Sequence, residues 1–266
     1  MDFERRFGGM NRLYGEGFSE FLAHRTQAMV VGVGGVGSWA VEALARSGVG
    51  RLLLVDLDHV AESNINRQIQ ATDLTLGQEK VRALADRIAS YAPHCEVIQL
   101  DTFLDENNAH MLFERLQADT TRVSAVLDCC DNARAKVAMA VWGRRLKLPL
   151  WMAGSAGGKL KPWLVQPADL RDTINDPLLA KVRYQLRKAH GFPKEGKKKM
   201  AVPVFYSAEQ VRRPAVCDAQ AGLNCAGYGS LVSVTATMGM HMAASALNHW
   251  AAAWPAISTH ELLATQ

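Results

Sequence analysis

Ala28-Met-Val-Val-Gly-Val-Gly-Gly-Val-Gly37 decides how this chain folds. Ala28–Val33 is a short apolar run ending in glycines, which suits a buried parallel strand that enters a tight turn. Ser38–Ser47 follows as a helix, with Trp39, Val41, Leu44 and Ala45 apolar and Gly48 as its stop. Arg51–Val55 is a second strand, so the segment makes one strand–helix–strand unit. At that junction Gly32 and Gly34 let the backbone turn and approach a phosphate. Gly35 belongs to the same loop, and Gly37 lets helix and strand pack closely. The helix N-terminus adds free N–H groups and a partial positive charge. Nucleotide binding is the expectation.

The alternation continues outward. Leu76–Tyr91 is an amphipathic helix stopped before Pro93, and Glu96–Leu100 is a third strand. Asn107–Leu116 is a helix, Val123–Leu127 a strand, Ala133–Leu146 a helix and Pro149–Ala153 a strand. Strands alternating with helices predict an α/β, doubly wound, Rossmann-like, mostly parallel sheet. After Ala153 the pattern loosens into a Gly154–Gly158 turn, an edge strand over Lys159–Val165, a helix over Asp176–His190 and a basic loop over Phe192–Lys199. We expect a single domain over 1–266. Its nucleotide-binding half is 1–153, and 154–266 is a mixed extension for substrate binding and dimerisation.

Composition narrows the class. The 266 residues are 48% hydrophobic and 21% charged, ordinary for a soluble globular protein, and a net charge of +4 permits nucleic acid without implying it. Cys95, Cys129, Cys130, Cys217 and Cys225 contain no Cys-x-x-Cys, which argues against a four-thiolate zinc site. An odd count with an adjacent pair fits reduced thiols in the cytoplasm. The charged N-terminus argues against a signal peptide. From Ala219 to His260 the chain has no Asp, Glu, Lys or Arg, yet Leu231–Trp254 carries Asn248, His241 and His249 among many small residues. That stretch reads as a core or dimer helix rather than a membrane span.

Asp56-Leu-Asp-His-Val-Ala-Glu-Ser-Asn-Ile-Asn-Arg-Gln68 carries the chemistry. Asp56 ends the second strand about 20 residues beyond the glycine loop, where an acid accepts hydrogen bonds from ribose hydroxyls. To that point a nicotinamide-dependent dehydrogenase fits equally well. It fits poorly with Ser63-Asn-Ile-Asn-Arg-Gln68, because hydride transfer has no use for a polar cluster beside the phosphates.

The glycine loop, Asp56-x-Asp58, Ser63-Asn-x-Asn-Arg-Gln68, Lys80 and Asp131-Asn132 together resemble the ubiquitin-activating-enzyme-like adenylating superfamily. Arg6-Phe-Gly-Gly-Met-Asn-Arg-Leu-Tyr-Gly15 and the Gly154–Gly158 turn are more similar to one branch, the tRNA threonylcarbamoyladenosine dehydratases. The resemblance implies ATP as cosubstrate and adenylation of a carboxylate. In that chemistry Arg67 and Lys80 serve as cations for the β- and γ-phosphates, and Asp131 is the Mg2+ ligand. Asp58, Ser63, Asn64, Asn66, Gln68 and Asn132 are further nucleotide-binding candidates. Asp131-Asn132 also reads as a helix N-cap. The superfamily implies a homodimer in which an N-terminal arginine reaches the neighbouring subunit's γ-phosphate, here Arg12 or, second, Arg6.

Departures choose the branch. Sulfur-carrier activators hold zinc with two Cys-x-x-Cys pairs, and thioester-forming members place a cysteine after the adenylation half. This chain has no Cys-x-x-Cys pair, and no cysteine lies between Cys130 and Cys217. Cys217 and Cys225 flank a charge-poor, Gly-rich stretch where a thiol is either a small core residue, the commoner case, or reactive. The reaction implied is cyclisation of threonylcarbamoyladenosine beside the tRNA anticodon. Activation of a small sulfur-carrier protein's C-terminus is the alternative, with a cysteine-desulfurase or sulfur-acceptor system as a further implied partner. Lys181, Arg183, Arg187, Lys188, Lys194, Lys197, Lys198, Lys199, Arg212 and Arg213 offer basic surface for RNA, and Phe192, Phe205 and Tyr206 lie among them as aromatics for stacking a base.

Overall fold

The computed structural model describes residues 2–194, 196, 198–212 and 228–264, with side chains in the final helix described as far as Trp254. Three short helices come first: α1 (Phe3–Phe7), α2 (Gly9–Tyr14) and α3 (Phe18–Arg25). The alternating region then runs β1 (Thr26–Val31), α4 (Gly37–Arg46), β2 (Arg51–Val55), α5 (Lys80–Ala89), β3 (Glu96–Leu100), α6 (Ala109–Gln117), β4 (Val123–Asp128), α7 (Ala133–Leu146) and β5 (Leu150–Ala153). Beyond it lie β6 (Val165–Asp169), α8 (Pro177–Ala189), β7 (Pro203–Ser207) and α9 (Val232–Ala264).

One sheet takes all the described strands in the order β3-β2-β1-β4-β5-β7-β6. Every neighbouring pair is parallel except β6 against β7. This is the doubly wound, mostly parallel sheet expected, with its one antiparallel pair in the C-terminal extension. β1 is buried at every position, as a central strand covered on both faces must be. Ala28 and Val30 face one core with α3, α4 and α9. Met29 and Val31 face the other with α6, α7 and α8. The chain leaves β1 toward β2 on one side and returns to β4 on the other, opening a crevice beyond the carboxyl ends of β1 and β4.

Two expected elements are corrected. The helix expected from Leu76 begins at Lys80. Gly77 has a φ of +78°, and Gly77 and Gln78 hydrogen-bond to the backbone of Val60, so this stretch belongs to the polar loop instead. The edge strand expected over Lys159–Val165 lies at Val165–Asp169. Lys159 turns its side chain inward, and Pro162, which has no N–H for a ladder, opens a 3-10 turn.

The charge-free stretch forms α9. Val234, Met238, Met242, Ala246 and Trp250 are buried in the core shared with α4, while Met240, His241 and Asn248 are exposed. Gly239 allows the close approach: a Cβ there would meet the Val36 carbonyl oxygen at 2.4 Å. Among the described residues no helix is long and apolar enough to cross a membrane.

Candidate nucleotide and phosphate site

The glycine loop sits at the crevice because β1 ends there. Gly32 donates to the Val55 carbonyl (2.8 Å) and adopts a φ of +82°, which disfavours any side chain. A Cβ at Gly32 would lie 2.8 Å from Cys130 Cα, so the loop is pressed against the backbone that leads to Asp131. At Gly37 a Cβ would meet the Gly32 carbonyl oxygen at 1.8 Å. Gly34 faces Gln68 Nε2, and Gly35 lies between Thr235 of α9 and the Arg67 side chain.

Asp56 braces that loop. Its Oδ2 accepts from Val33 N (2.8 Å) and its Oδ1 from Asp58 N (2.9 Å). Burial pushes the Asp56 carboxyl up from its ordinary value, against the pull of Lys80 and the two N–H groups. Lys80 is buried at the start of α5, with Nζ 2.6 Å from Asp58 Oδ2. Asp56, Asp58 and Lys80 thus form one chain of contacts from the loop to α5.

The Ser63–Gln68 run is a tight coil built around Asn64. That buried side chain accepts from Ala61 N (3.1 Å) and so shapes the 3-10 turn. Arg67 is half-buried; its Nη1 donates to the carbonyl of exposed Ser63 (2.7 Å) and to Asn66 Oδ1 (2.9 Å), while Asn66 Nδ2 reaches the Ser230 carbonyl before α9. Trp39 Nε1 donates to the Arg67 carbonyl (2.9 Å), fixing the run to α4. At the other wall, Asn132 Oδ1 accepts from Arg134 N and Ala135 N and caps α7. Asp131 is exposed, with no hydrogen-bond or ion-pair partner among the described residues.

Gly32, Gly34, Gly35, Gly37, Asp56, Asp58, Ser63, Asn64, Asn66, Arg67, Gln68, Lys80, Asp131 and Asn132 therefore sit on the loops and element ends around one crevice. Arg12 does not join them. It projects from α2 into solvent, without a hydrogen bond among the described residues. Arg6 donates to the Tyr91 carbonyl (2.7 Å), which occupies it within its own chain.

Three supports escaped the sequence reading. Gln70 Nε2 donates to the Val33 carbonyl (2.9 Å), locking the glycine loop; its place two residues beyond Gln68 was the only hint. Asp128 and Lys136 form a fully buried pair, 2.9 Å apart, and Lys136 also donates to the Ala153 carbonyl. Burial works against the Lys136 charge, but Asp128 outweighs it and holds that ammonium above the ordinary lysine range. The signal was available: a buried carboxylate ending an apolar strand requires a partner, and Lys136 lies in the first turn of the next helix. Asp176 caps α8 through Leu179 N and accepts from Ser155 N, so it joins the Gly154–Gly158 turn to that helix.

The aromatic expectation fails. Phe192, Phe205 and Tyr206 are all buried, as packing for α8 and the sheet, and cannot stack on RNA. Arg183 spends its Nη1 on the Leu170 and Thr173 carbonyls and the Thr173 hydroxyl. Lys197, Arg213, Cys217 and Cys225 lie outside the described residues.

Comparison with known proteins places the chain in a family. The ThiF family model matches residues 10–251. A tRNA threonylcarbamoyladenosine dehydratase from Haemophilus influenzae is 39% identical over 244 residues, covering 90% of each protein. The crystal structure of the Escherichia coli tRNA N6-threonylcarbamoyladenosine dehydratase with ATP superposes with a TM-score of 0.83 at 38% identity, covering 95% of this chain and 96% of that one, and the same enzyme is known with AMP. A molybdopterin-synthase adenylyltransferase from Salmonella typhimurium is 35% identical over 49% of each protein. The chain belongs to the ThiF family.

Proposed function

We infer that the chain is an ATP-dependent tRNA threonylcarbamoyladenosine dehydratase. One observation carries the reading: the likeness to the Escherichia coli dehydratase, itself solved with ATP and with AMP, runs through 95% of this chain. The molybdopterin adenylyltransferase matches only 49%.

An oxygen of the threonyl carboxylate attacks the α-phosphorus of ATP, and pyrophosphate leaves. The ureido nitrogen of the same modified adenosine then attacks the acyl carbon and loses its proton, and AMP departs. The ring closes with net loss of one water. Nothing in this sequence of steps needs a cysteine relay or a sulfur-transfer partner.

Such catalysis consists of positioning and charge neutralisation. The glycine loop and the N-terminus of α4 receive phosphate, and Asp56 receives the ribose. Arg67 and Lys80 offset the β- and γ-phosphate charge; the Lys80–Asp58 contact supports this by holding the ammonium in place before substrate arrives. Asp131 is our metal ligand. Mg2+ takes one or two carboxylates plus phosphates and water, and an exposed carboxylate with no protein partner fits that habit, whereas Asp128 is committed to Lys136. The ion would neutralise phosphate charge when bound.

Residues 154–266 form the substrate and dimer half of a single domain, and the enzyme works as a homodimer in the cytoplasm, where tRNA is. Arg12 is the arginine that acts on the neighbouring subunit's nucleotide; its lack of a hydrogen bond or ion pair among the described residues supports it over Arg6.

The test is the mass of the nucleoside. Purified protein, ATP and tRNA bearing threonylcarbamoyladenosine should yield, after digestion, a nucleoside lighter by one water, and none without ATP. An unchanged nucleoside beside adenylation of a small carrier protein's C-terminus would move the reaction to that substrate.

A further inference from the structure

α8 begins at the rim of the crevice. Asp176, its N-cap, accepts from Ser155 just beyond β5, at the same carboxyl edge of the sheet as Gly32. The helix then runs away from that rim without a single Asp or Glu, and turns Lys181, Tyr184 and Lys188 outward at helical spacing. A groove of 580 Å³ follows it, lined by Ala180, Arg183, Tyr184, Arg187, Lys188 and Lys194, with no carboxylate. Cations near a helix C-terminus complement its dipole, which accounts for Arg187 and Lys188. It does not account for Tyr184, a large ring left 61% exposed in the middle of the helix with Lys188 Nζ 5.6 Å from its centroid.

We propose that Tyr184 is a stacking platform for an unpaired base of the tRNA substrate, flanked by Lys181, Lys188 and Lys194 as phosphate contacts. A ring with a free face and nearby cations is the combination that holds single-stranded nucleic acid, since every base offers a face to stack and a phosphate to neutralise. Tyr184 lies about 12 Å along α8 from its N-cap, within a few nucleotides of the rim. Phe192 and Tyr206, buried in the core beneath α8, and Phe205, buried on the opposite face of the sheet against α9, hold the fold in place rather than meeting the RNA. The platform rests on the tRNA reading above and deepens it by naming where the loop nucleotides beside the reacting one are held.

Steady-state turnover of modified tRNA separates the two claims. Wild-type protein is measured first, and no turnover overturns the parent reading and the platform with it. With turnover present, Tyr184→Ala should raise KM for tRNA about tenfold, the worth of one base stack, with kcat and the KM for ATP unchanged. Tyr184→Phe should restore wild-type KM. Lys188→Ala should lower the slope of log KM against log salt by about one. A KM for tRNA within twofold of wild type in Tyr184→Ala, or a Phe variant as impaired as the Ala variant, overturns the proposal.

Discussion

Single side chains in this protein mostly work in pairs, and each pair has its own test. Lys80 is held by Asp58 at 2.6 Å and is proposed to meet ATP phosphates. Lys80→Ala should cut kcat/KM for ATP by on the order of 10² or more, as expected when a charge aimed at a developing negative centre is removed. Melting of the apo-protein should move by only a few degrees, since Asp58 is exposed and needs no partner. Glu42 makes the opposite case, structural rather than functional. Buried in α4, it accepts from Arg46, Arg87 and the Tyr91 hydroxyl. Burial alone would raise its pKa, yet those hydrogen bonds win and hold it below the ordinary 4.5. A depressed carboxyl contributes stability above its unfolded pKa and loses it as pH falls through the folded one. Glu42→Gln should therefore cost about 2 kcal/mol at pH 7, discounted for the partly exposed arginines, and flatten the fall of unfolding free energy below about pH 4.5. A pH series of denaturant unfolding checks both. Identical slopes would mean that other carboxyls dominate acid unfolding.

At the scale of elements, what could be read in advance followed from burial. β1 to β5 are short, apolar and separated by amphipathic helices, so their pattern shows their place in a covered sheet. β7 was missed because Pro203-Val-Phe-Tyr-Ser207 follows a basic loop and shows no alternation. α1 and α2 were missed because five- and six-residue helices have too few turns to show a period. They hold by tertiary contact, with Phe7 packed on His94 and Phe3. The glycine loop was legible because Gly32 and Gly37 answer steric demands that no other residue meets. Gly32→Ala tests the strictest of these, since it meets both a φ of +82° and the Cys130 backbone. It should abolish detectable ATP binding by calorimetry and destabilise the fold by about 2–4 kcal/mol. ATP binding within threefold of wild type would show that the loop can shift without harm to the site.

For the molecule as a whole, the crevice between β1 and β4 collects residues from the glycine loop, the polar run, α5 and the β4–α7 turn, while Arg12 stays apart on α2. If Arg12 completes the neighbouring subunit's site, Arg12→Ala and Arg67→Ala should each be inactive alone. Mixed in equal amounts after subunit exchange, they should recover about a quarter of wild-type activity, because half of the dimers then hold one intact site. No recovery would place Arg12 in its own chain's site, and an Arg12→Ala variant active by itself would place it outside catalysis. The central claim, that this crevice drives an adenylation on tRNA, meets its most direct test in AMP and pyrophosphate release by the purified protein. Release should rise sharply with tRNA bearing threonylcarbamoyladenosine and stay at background with the same tRNA lacking it. Equal release with both tRNAs, or none with either, would contradict the account.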